Sequence, residues 1–306
     1  MAAASSSRLA GLNDASGVDG ELLDGELLDG YPRNDCQEVN RLNNWFSVRE
    51  VGPQTWAISD GGDDTIYLVE GQNRALLIDT GWGIGDLPAL VASLTNKPVT
   101  VVNSHGHPDH AYGDSQFPTV HVHSADVWLV EGLHKPRNRQ HLAENAIARM
   151  APAGFDISRW AASVPHLVPI ASGHVFDLGG RQLEAINLPG HTPGGLVFLD
   201  RASRQLFTGD SILAGPIWMH LRESLPLGQF LANLEMLRAQ AAAWDVLLPA
   251  HSTTPLAKTI LDDLIVGIGE VVAGRLVGRV EHTIAGDGLR CDFGTCGVVY
   301  DPERLR

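Results

Sequence analysis

Six consecutive residues, His105-Gly106-His107-Pro108-Asp109-His110, hold four potential metal ligands and stand two residues after the apolar run VTVV. A surface loop gains no packing energy from collecting three imidazoles and a carboxylate, and their crowding disfavours such a cluster unless a metal holds it. Imidazole with carboxylate is the donor chemistry of zinc or of non-haem iron. Alternation along the loop lets His105 and His107 face one ion while Asp109 and His110 turn towards a second. Whatever fold forms must carry these side chains on a strand-end loop.

The surrounding pattern is α/β. From Trp45 onward come short β-rich runs, VGPQTWAIS, DTIYLVEG and RALLIDTG, separated by Gly and Asp turn signals. The next stretch reads strand, loop, helix, strand: ALLIDTG, a Gly-rich turn, LPALVASL and VTVVNSHGH. A second pass repeats that order with RQLFTGD, a longer loop, the amphipathic GQFLANLEMLRAQAA and DVLLPAH. Each pass ends its first strand on an Asp (Asp79, Asp210) and follows its last with a His (His105, His251). Two similar halves sharing one site are therefore expected.

Three further candidates stand in Gly- or Pro-rich turns after apolar runs: His191 in LPGHTPGG, Asp210 in LFTGDS and His251 in LLPAHS. Singly, these read as a turn residue, a helix cap and a buried histidine. Together they complete a binuclear count, with three His at one ion, Asp and two His at the other, and one carboxylate shared.

Between the halves, residues 124–160 have helical spacing behind a Ser124 N-cap, which predicts one or two helices able to act as a lid or pocket wall. After His251, Thr254-Pro255 reads as N-cap and first helical residue of a helix with Ile260, Leu264, Ile268 and Val271 on one stripe. The tail predicts a hairpin turning at Asp287-Gly288. Residues 1–40 are acidic and of low complexity, with a tandem ELLDG duplication, and read as a mobile arm. Its Leu pairs are able to dock on the main domain or a second subunit, which leaves a homo-oligomer open.

Charge narrows the partners. With 22 Lys and Arg against 36 Asp and Glu, the net charge is −14, the wrong sign for a nucleic-acid footprint. No run of about 18 apolar residues offers a membrane span. The early residues lack a signal-peptide core. An odd set of cysteines (Cys36, Cys291, Cys296) gives no disulfide framework, although Cys291 and Cys296 are able to meet across a hairpin. A cytoplasmic protein acting on a small molecule is expected.

The HxHxDH hexapeptide followed by distant His, Asp and His resembles the signature of the metallo-β-lactamase superfamily, over roughly residues 45 to 255. The resemblance implies a four-layer αββα sandwich and a single catalytic domain over 41–306. It implies His105, His107 and His191 on the first ion, Asp109, His110 and His251 on the second, and Asp210 as bridge. Asp79, in LIDTG, matches an early Asp that orients the metal loop. The cofactor implied is two zinc ions, with iron or manganese as alternatives. The reaction implied is hydrolysis of an ester-like bond by a metal-activated water, with Asp109 as proton shuttle.

Branch features divide the substrates. Zinc β-lactamases that share HxHxDH lack the bridging Asp, and glyoxalase II enzymes follow that Asp with Cys-Gly-Arg where SILAGPIWMH stands here. Lactone or thioester cleavage is favoured, with β-lactam or hydroxyacylglutathione hydrolysis as alternatives. A mononuclear iron persulfide dioxygenase is the alternative of another class. Tyr112 stands where a substrate carbonyl could be hydrogen-bonded, or is an aromatic wall. Trp82, Trp218 and His220 follow the two Asp-bearing turns and are candidates for the pocket mouth. Deleting residues 1–40 is expected to leave turnover intact, and a collapse of kcat/KM in the truncated chain would make the arm part of the pocket or of an interface.

Overall fold

Runs such as ALLI, LVFLD and VLLP carry almost no polar alternation, and each is buried at every position. Such runs belong to strands covered on both faces. The computed structural model describes residues 45–306 except 63, 153–154 and 157–164. The proposed arm, Cys36 and the end of the insertion lie outside those residues.

The first half comprises β1 (Phe46–Gly52), β2 (Thr55–Asp60), β3 (Asp64–Glu70), β4 (Ala75–Ile78), α1 (Leu87–Leu94), β5 (Val99–Val102), α2 (Pro108–Ala111), β6 (Thr119–His123), α3 (Val127–Leu133), α4 (Pro136–Leu142), α5 (Ala148–Met150) and β7 (His166–Ile170). Its seven strands lie in sequence order, antiparallel as far as β4 and parallel from there. The second half begins with β8 (Val175–Asp177), β9 (Gln182–Asn187), β10 (Leu196–Asp200), β11 (Gln205–Gly209), β12 (Gly215–Met219), α6 (Leu227–Arg238), β13 (Val246–Pro249) and β14 (Leu256–Ala257). Its sheet runs β14-β13-β11-β10-β9-β8. The chain then forms α7 (Ile260–Val272), β15 (Arg279–Thr283), β16 (Gly286–Phe293) and β17 (Cys296–Tyr300). A third sheet of order β12-β17-β16-β15 joins this last part back to β12.

The two large sheets meet face to face. Val69, Leu76, Ile78 and Val102 of the first pack with Phe198, Phe207 and Leu248 of the second. Tyr67 reaches across this layer, its ring edge-on to Phe207 and its hydroxyl donating to the Pro249 carbonyl at 2.6 Å. Alternate residues of the same strands face outward, where Leu68 and Leu77 meet Leu87 and Leu90 of α1. On the far side, Val197, Leu206 and Leu247 meet Phe230 and Leu234 of α6 and Leu264 and Ile268 of α7. The architecture is the expected αββα sandwich. The pair β4/β5 and the pair β11/β13 are both parallel, so both Asp-bearing turns and both His-bearing loops emerge at strand C-termini.

Local boundaries differ from the sequence reading at three places. Helix α7 starts at Ile260, with Thr259 at its N-cap, because Leu256 and Ala257 instead add a short strand opposite Leu247 and Val246. Its stripe of Ile260, Leu264, Ile268 and Val271 is buried as expected. The hairpin turns at Ile284-Ala285, since Thr283 pairs with Gly286 and its hydroxyl donates to the Gly286 carbonyl at 2.7 Å. Asp287 then lies in the strand opposite His282, with Nδ1 and Oδ1 2.8 Å apart. In the insertion, Asp126 and not Ser124 occupies the N-cap of α3, and its carboxylate points away from that helix. Cys291 and Cys296 are both free and buried, because the ladder sets them opposite Val298 and Phe293. No described helix is long and apolar enough to cross a membrane.

Arg181 ties the two large sheets together at the edge away from these loops. Its Nε donates to Asp200 at 2.6 Å, Nη2 to the Thr55 hydroxyl at 2.8 Å, and Nη1 to the carbonyls of Pro53, Gln54 and Glu70 at 3.0, 3.2 and 3.2 Å. Removing one member of a buried ion pair leaves the other charge uncompensated. Arg181→Ala is expected to cost about 3–5 kcal/mol of unfolding free energy, read as a lower urea midpoint at unchanged slope.

Candidate metal centre

None of the seven candidate ligands lies within a strand; each lies on a loop or short helix beyond a strand end. Asp79 follows β4 in a left-handed conformation, φ 67°, rare for a residue with a Cβ. That turn aims both of its oxygens at the metal loop: Ser104 donates to Oδ1 through its backbone N–H at 2.5 Å and to Oδ2 through its hydroxyl at 2.7 Å. Gly209, φ 49°, ends β11 just before Asp210, and a Cβ there would come within 2.9 Å of Ser104. The two halves thus touch at the point where their ligands diverge.

Two groups of side chains each converge one donor atom per residue to within 4.8 Å: His105, His107 and His191, and Asp109, His110, Asp210 and His251. In the first, His107 Nδ1 is 3.1 Å from His105 Nε2 and 2.8 Å from His191 Nε2. In the second, His110 Nε2 is 3.5 Å from Asp109 and 3.4 Å from Asp210, and His251 Nε2 is 3.6 and 3.2 Å from the same carboxylates. Tetrahedral donors about 2.0–2.1 Å from an ion stand roughly 3.4 Å from each other. Asp210 joins the groups, since its Oδ2 also lies 3.4 Å from His191 Nε2. His110 Nε2 and Asp210 Oδ1 are buried without a hydrogen bond. Donor type, spacing and these unsatisfied atoms fit a pair of divalent cations.

Four of the five imidazoles have an acceptor on the other nitrogen. His105 Nδ1 meets the Ser104 hydroxyl at 3.1 Å, His110 Nδ1 meets Asp79 at 3.0 Å, and His191 Nδ1 meets the Trp218 carbonyl at 2.8 Å. His107 Nε2 meets the Glu223 carboxylate at 2.8 Å. Asp126, fully buried, braces the metal loop against the His191 loop by accepting from Gly106 N–H, Thr192 Oγ1 and Gly194 N–H at 3.1, 2.7 and 2.6 Å. Asp64 lies buried 3.8 Å from His110 Nδ1. Sequence reasoning found Asp79 but missed Glu223, Ser104, Asp126 and Asp64. Only Asp64 carried a signal, as a charged residue opening a run whose centre, IYLV, is apolar.

Burial and neighbouring charge divide the two groups electrostatically. Burial, reinforced by neighbouring imidazoles, holds His105 well below the usual histidine range and His191 down at about 4, so both present lone pairs. His251 is pushed up to about 11, chiefly by the Asp210 carboxylate. Burial opposes protonation of His110 as well, yet Asp64, Asp109 and Asp210 together raise it well above its ordinary value. Burial likewise opposes ionisation of Asp109 and Asp210, but His110 and His251 hold Asp109 at about 2 and Asp210 well below the carboxylate range. This second group is a set of carboxylates that demands positive charge.

The four candidates for the pocket fall in two places. Tyr112 is fully buried, stacked on Trp82 with ring centres 6.3 Å apart, in an apolar cluster with Ile84 and Ile147. Tyr112 thus contributes to an apolar wall beside the insertion, and burial pushes its hydroxyl pKa up. Trp82 is buried with it, its backbone N–H donating to Asp60 at 2.6 Å. Trp218 contributes its carbonyl to His191, while His220 Nε2 lies 2.9 Å from Thr283 Oγ1 on the terminal hairpin.

Known proteins are similar to this chain in sequence and in fold. The chain is 28% identical over 195 residues to the human (Homo sapiens) acyl-coenzyme A thioesterase MBLAC2, covering 56% of this chain and 68% of that one. It is 26% identical over 245 residues to an atrochrysone carboxyl ACP thioesterase of Aspergillus terreus, covering 78% and 63%, and 26% identical over 175 residues to the hydroxyacylglutathione hydrolase GloC of Haemophilus influenzae, covering 55% and 74%. Among solved structures, a metallo-β-lactamase from Pontibacter korlensis superposes with a TM-score of 0.52 at 20% identity, over 73% of this chain and 99% of that one. The sec-alkylsulfatase Pisa1 of a Pseudomonas species superposes at 0.57 and 18% identity, over 76% and 43%. A family profile matches residues 60–251, and the chain belongs to the metallo-β-lactamase superfamily.

Proposed function

We propose that the chain is a binuclear metal-dependent hydrolase that cleaves the thioester bond of a small acylated carrier. The observation that carries this reading is the meeting of two donor groups, His105/His107/His191 and Asp109/His110/His251, at the single carboxylate of Asp210. The choice of a thioester over a lactone is supported by the relatives, whose names describe acyl-CoA, acyl-carrier-protein and acylglutathione substrates, all cleaved at an acyl–sulfur bond. The free thiols of Cys291 and Cys296 support the expected cytoplasmic setting.

Bound at these donors, two divalent cations, with zinc as the first candidate, lower the pKa of water towards neutrality and polarise the acyl carbonyl. The chain's own residues supply orientation and proton handling. Ser104, Asp79, Trp218 and Glu223 fix the ring tautomers, so the four imidazoles present their lone pairs inward. Asp109, partly exposed beside His110 and His251, is placed to take the proton released on attack. A thiol leaves as thiolate with a pKa of about 8.5, so cleavage makes little demand on a general acid.

Three measurements test the reading. Purified protein loaded with zinc is expected to hydrolyse an acyl-CoA or acylglutathione in a chelator-sensitive manner and faster than an acyl-homoserine lactone or a cephalosporin. Preference for the lactone or the cephalosporin would overturn the thioester assignment, and one bound iron with oxygen consumption on a persulfide would overturn the hydrolase. Asp210→Ala is expected to lower metal content and abolish turnover with the circular dichroism of the fold unchanged. Asp109→Asn is expected to reduce kcat by about 10²–10⁴-fold while metal content changes far less; equal loss of both would make Asp109 a ligand only.

A further inference from the structure

His107 differs from the other imidazoles of the centre in the nitrogen it presents. His105, His110, His191 and His251 converge through Nε2, whereas His107 converges through Nδ1. A histidine that ligates through Nδ1 must carry its proton on Nε2, and an acceptor at Nε2 decides that tautomer. The acceptor here is Glu223, 116 residues further along the chain, with both side chains largely shielded from solvent.

Glu223 is held from both sides. Ser224 Oγ donates to the His191 carbonyl at 2.9 Å, and Leu225 N–H donates to the Gly190 carbonyl at 2.8 Å, which joins this loop to the one that bears the third histidine. Arg304 Nη1 donates to the Leu221 carbonyl at 2.7 Å and the Arg222 carbonyl at 3.3 Å, and Nη2 to the Ser224 carbonyl. Its own carbonyl accepts from Leu227 N–H at 3.0 Å. One guanidinium therefore spans the main chain before and after Glu223.

We infer that Glu223, presented by a loop that Arg304 clamps, is a positioning residue that selects Nδ1 of His107 as ligand and so sets the affinity of one of the two metal sites separately from the other. This rests on the binuclear reading above. The carboxylate touches no atom of the Asp109/His110/Asp210/His251 group in the contacts described, so its loss acts on the His105/His107/His191 site.

The test uses the full chain, stripped with chelator, dialysed and titrated with zinc and with cobalt. Wild type is expected to take up two ions. E223A is expected to bind one of them about 10–100-fold more weakly and the other unchanged, with the unfolding midpoint of the metal-free protein equal to wild type. E223Q keeps an oxygen acceptor for Nε2–H and is expected to return to within a few-fold of wild type. R304A is expected to weaken the same ion by a smaller factor. Wild-type affinity for both ions in E223A, or E223Q as weak as E223A, would overturn the role of Glu223, and unaltered binding in R304A would overturn the clamp. A wild-type chain that binds no ion would instead remove the binuclear reading itself.

Discussion

The centre depends on the apolar layer between the two large sheets. Val69, Leu76, Ile78 and Val102 on one side and Phe198, Phe207 and Leu248 on the other fix the distance and angle at which the strand ends arrive. Because the donors sit on loops beyond those ends, a small rotation of one sheet over the other would carry His191, Asp210 and His251 away from the hexapeptide. Close packing makes such a rotation costly. Arg181 locks the same pair of sheets at the opposite edge, where its guanidinium satisfies acceptors from both.

Upon that frame, the two donor groups solve different electrostatic problems. His105 and His191, buried imidazoles that repel protons, cost little to desolvate, and they wait as neutral ligands. Asp109, Asp210 and Asp79 gathered around His110 form a concentration of negative charge that no isolated loop would tolerate. Protons on His110 and His251 offset it, and a divalent cation supplies the same compensation with more charge per site. Affinity for metal is thus expected to compete with protons chiefly at the carboxylate-rich group.

The candidate ligands were legible because each stands beside a strand end marked by Gly or Pro, and because a cluster of four donors in six residues has no packing explanation. The duplicated strand–helix–strand order likewise foretold two halves meeting at one rim. What the sequence could not carry were contacts that exist only after loops close. Glu223 lies in HLRESLP, a stretch without periodicity or spacing to mark it, and Asp126 looked like part of a helix start. The Asp287-Gly288 pair has strong turn chemistry, yet the pairing of Thr283 with Gly286 moved the turn three residues earlier. Tyr112 was ambiguous by nature, since an aromatic beside a metal loop serves equally as wall or as donor until its burial is known.

Helices α4 and α5 contain no fully buried side chain, and half-buried Leu142 and Met150 rest on the wall formed by Trp82, Ile84 and Tyr112. The metal loop, by contrast, is anchored through buried Asp79, Ser104 and Asp126. Exchange of residues on those two helices therefore disturbs little of what the fold needs, while any change at the anchors is felt at the donor atoms. Variation in such a chain is channelled by stability into the approach to the centre.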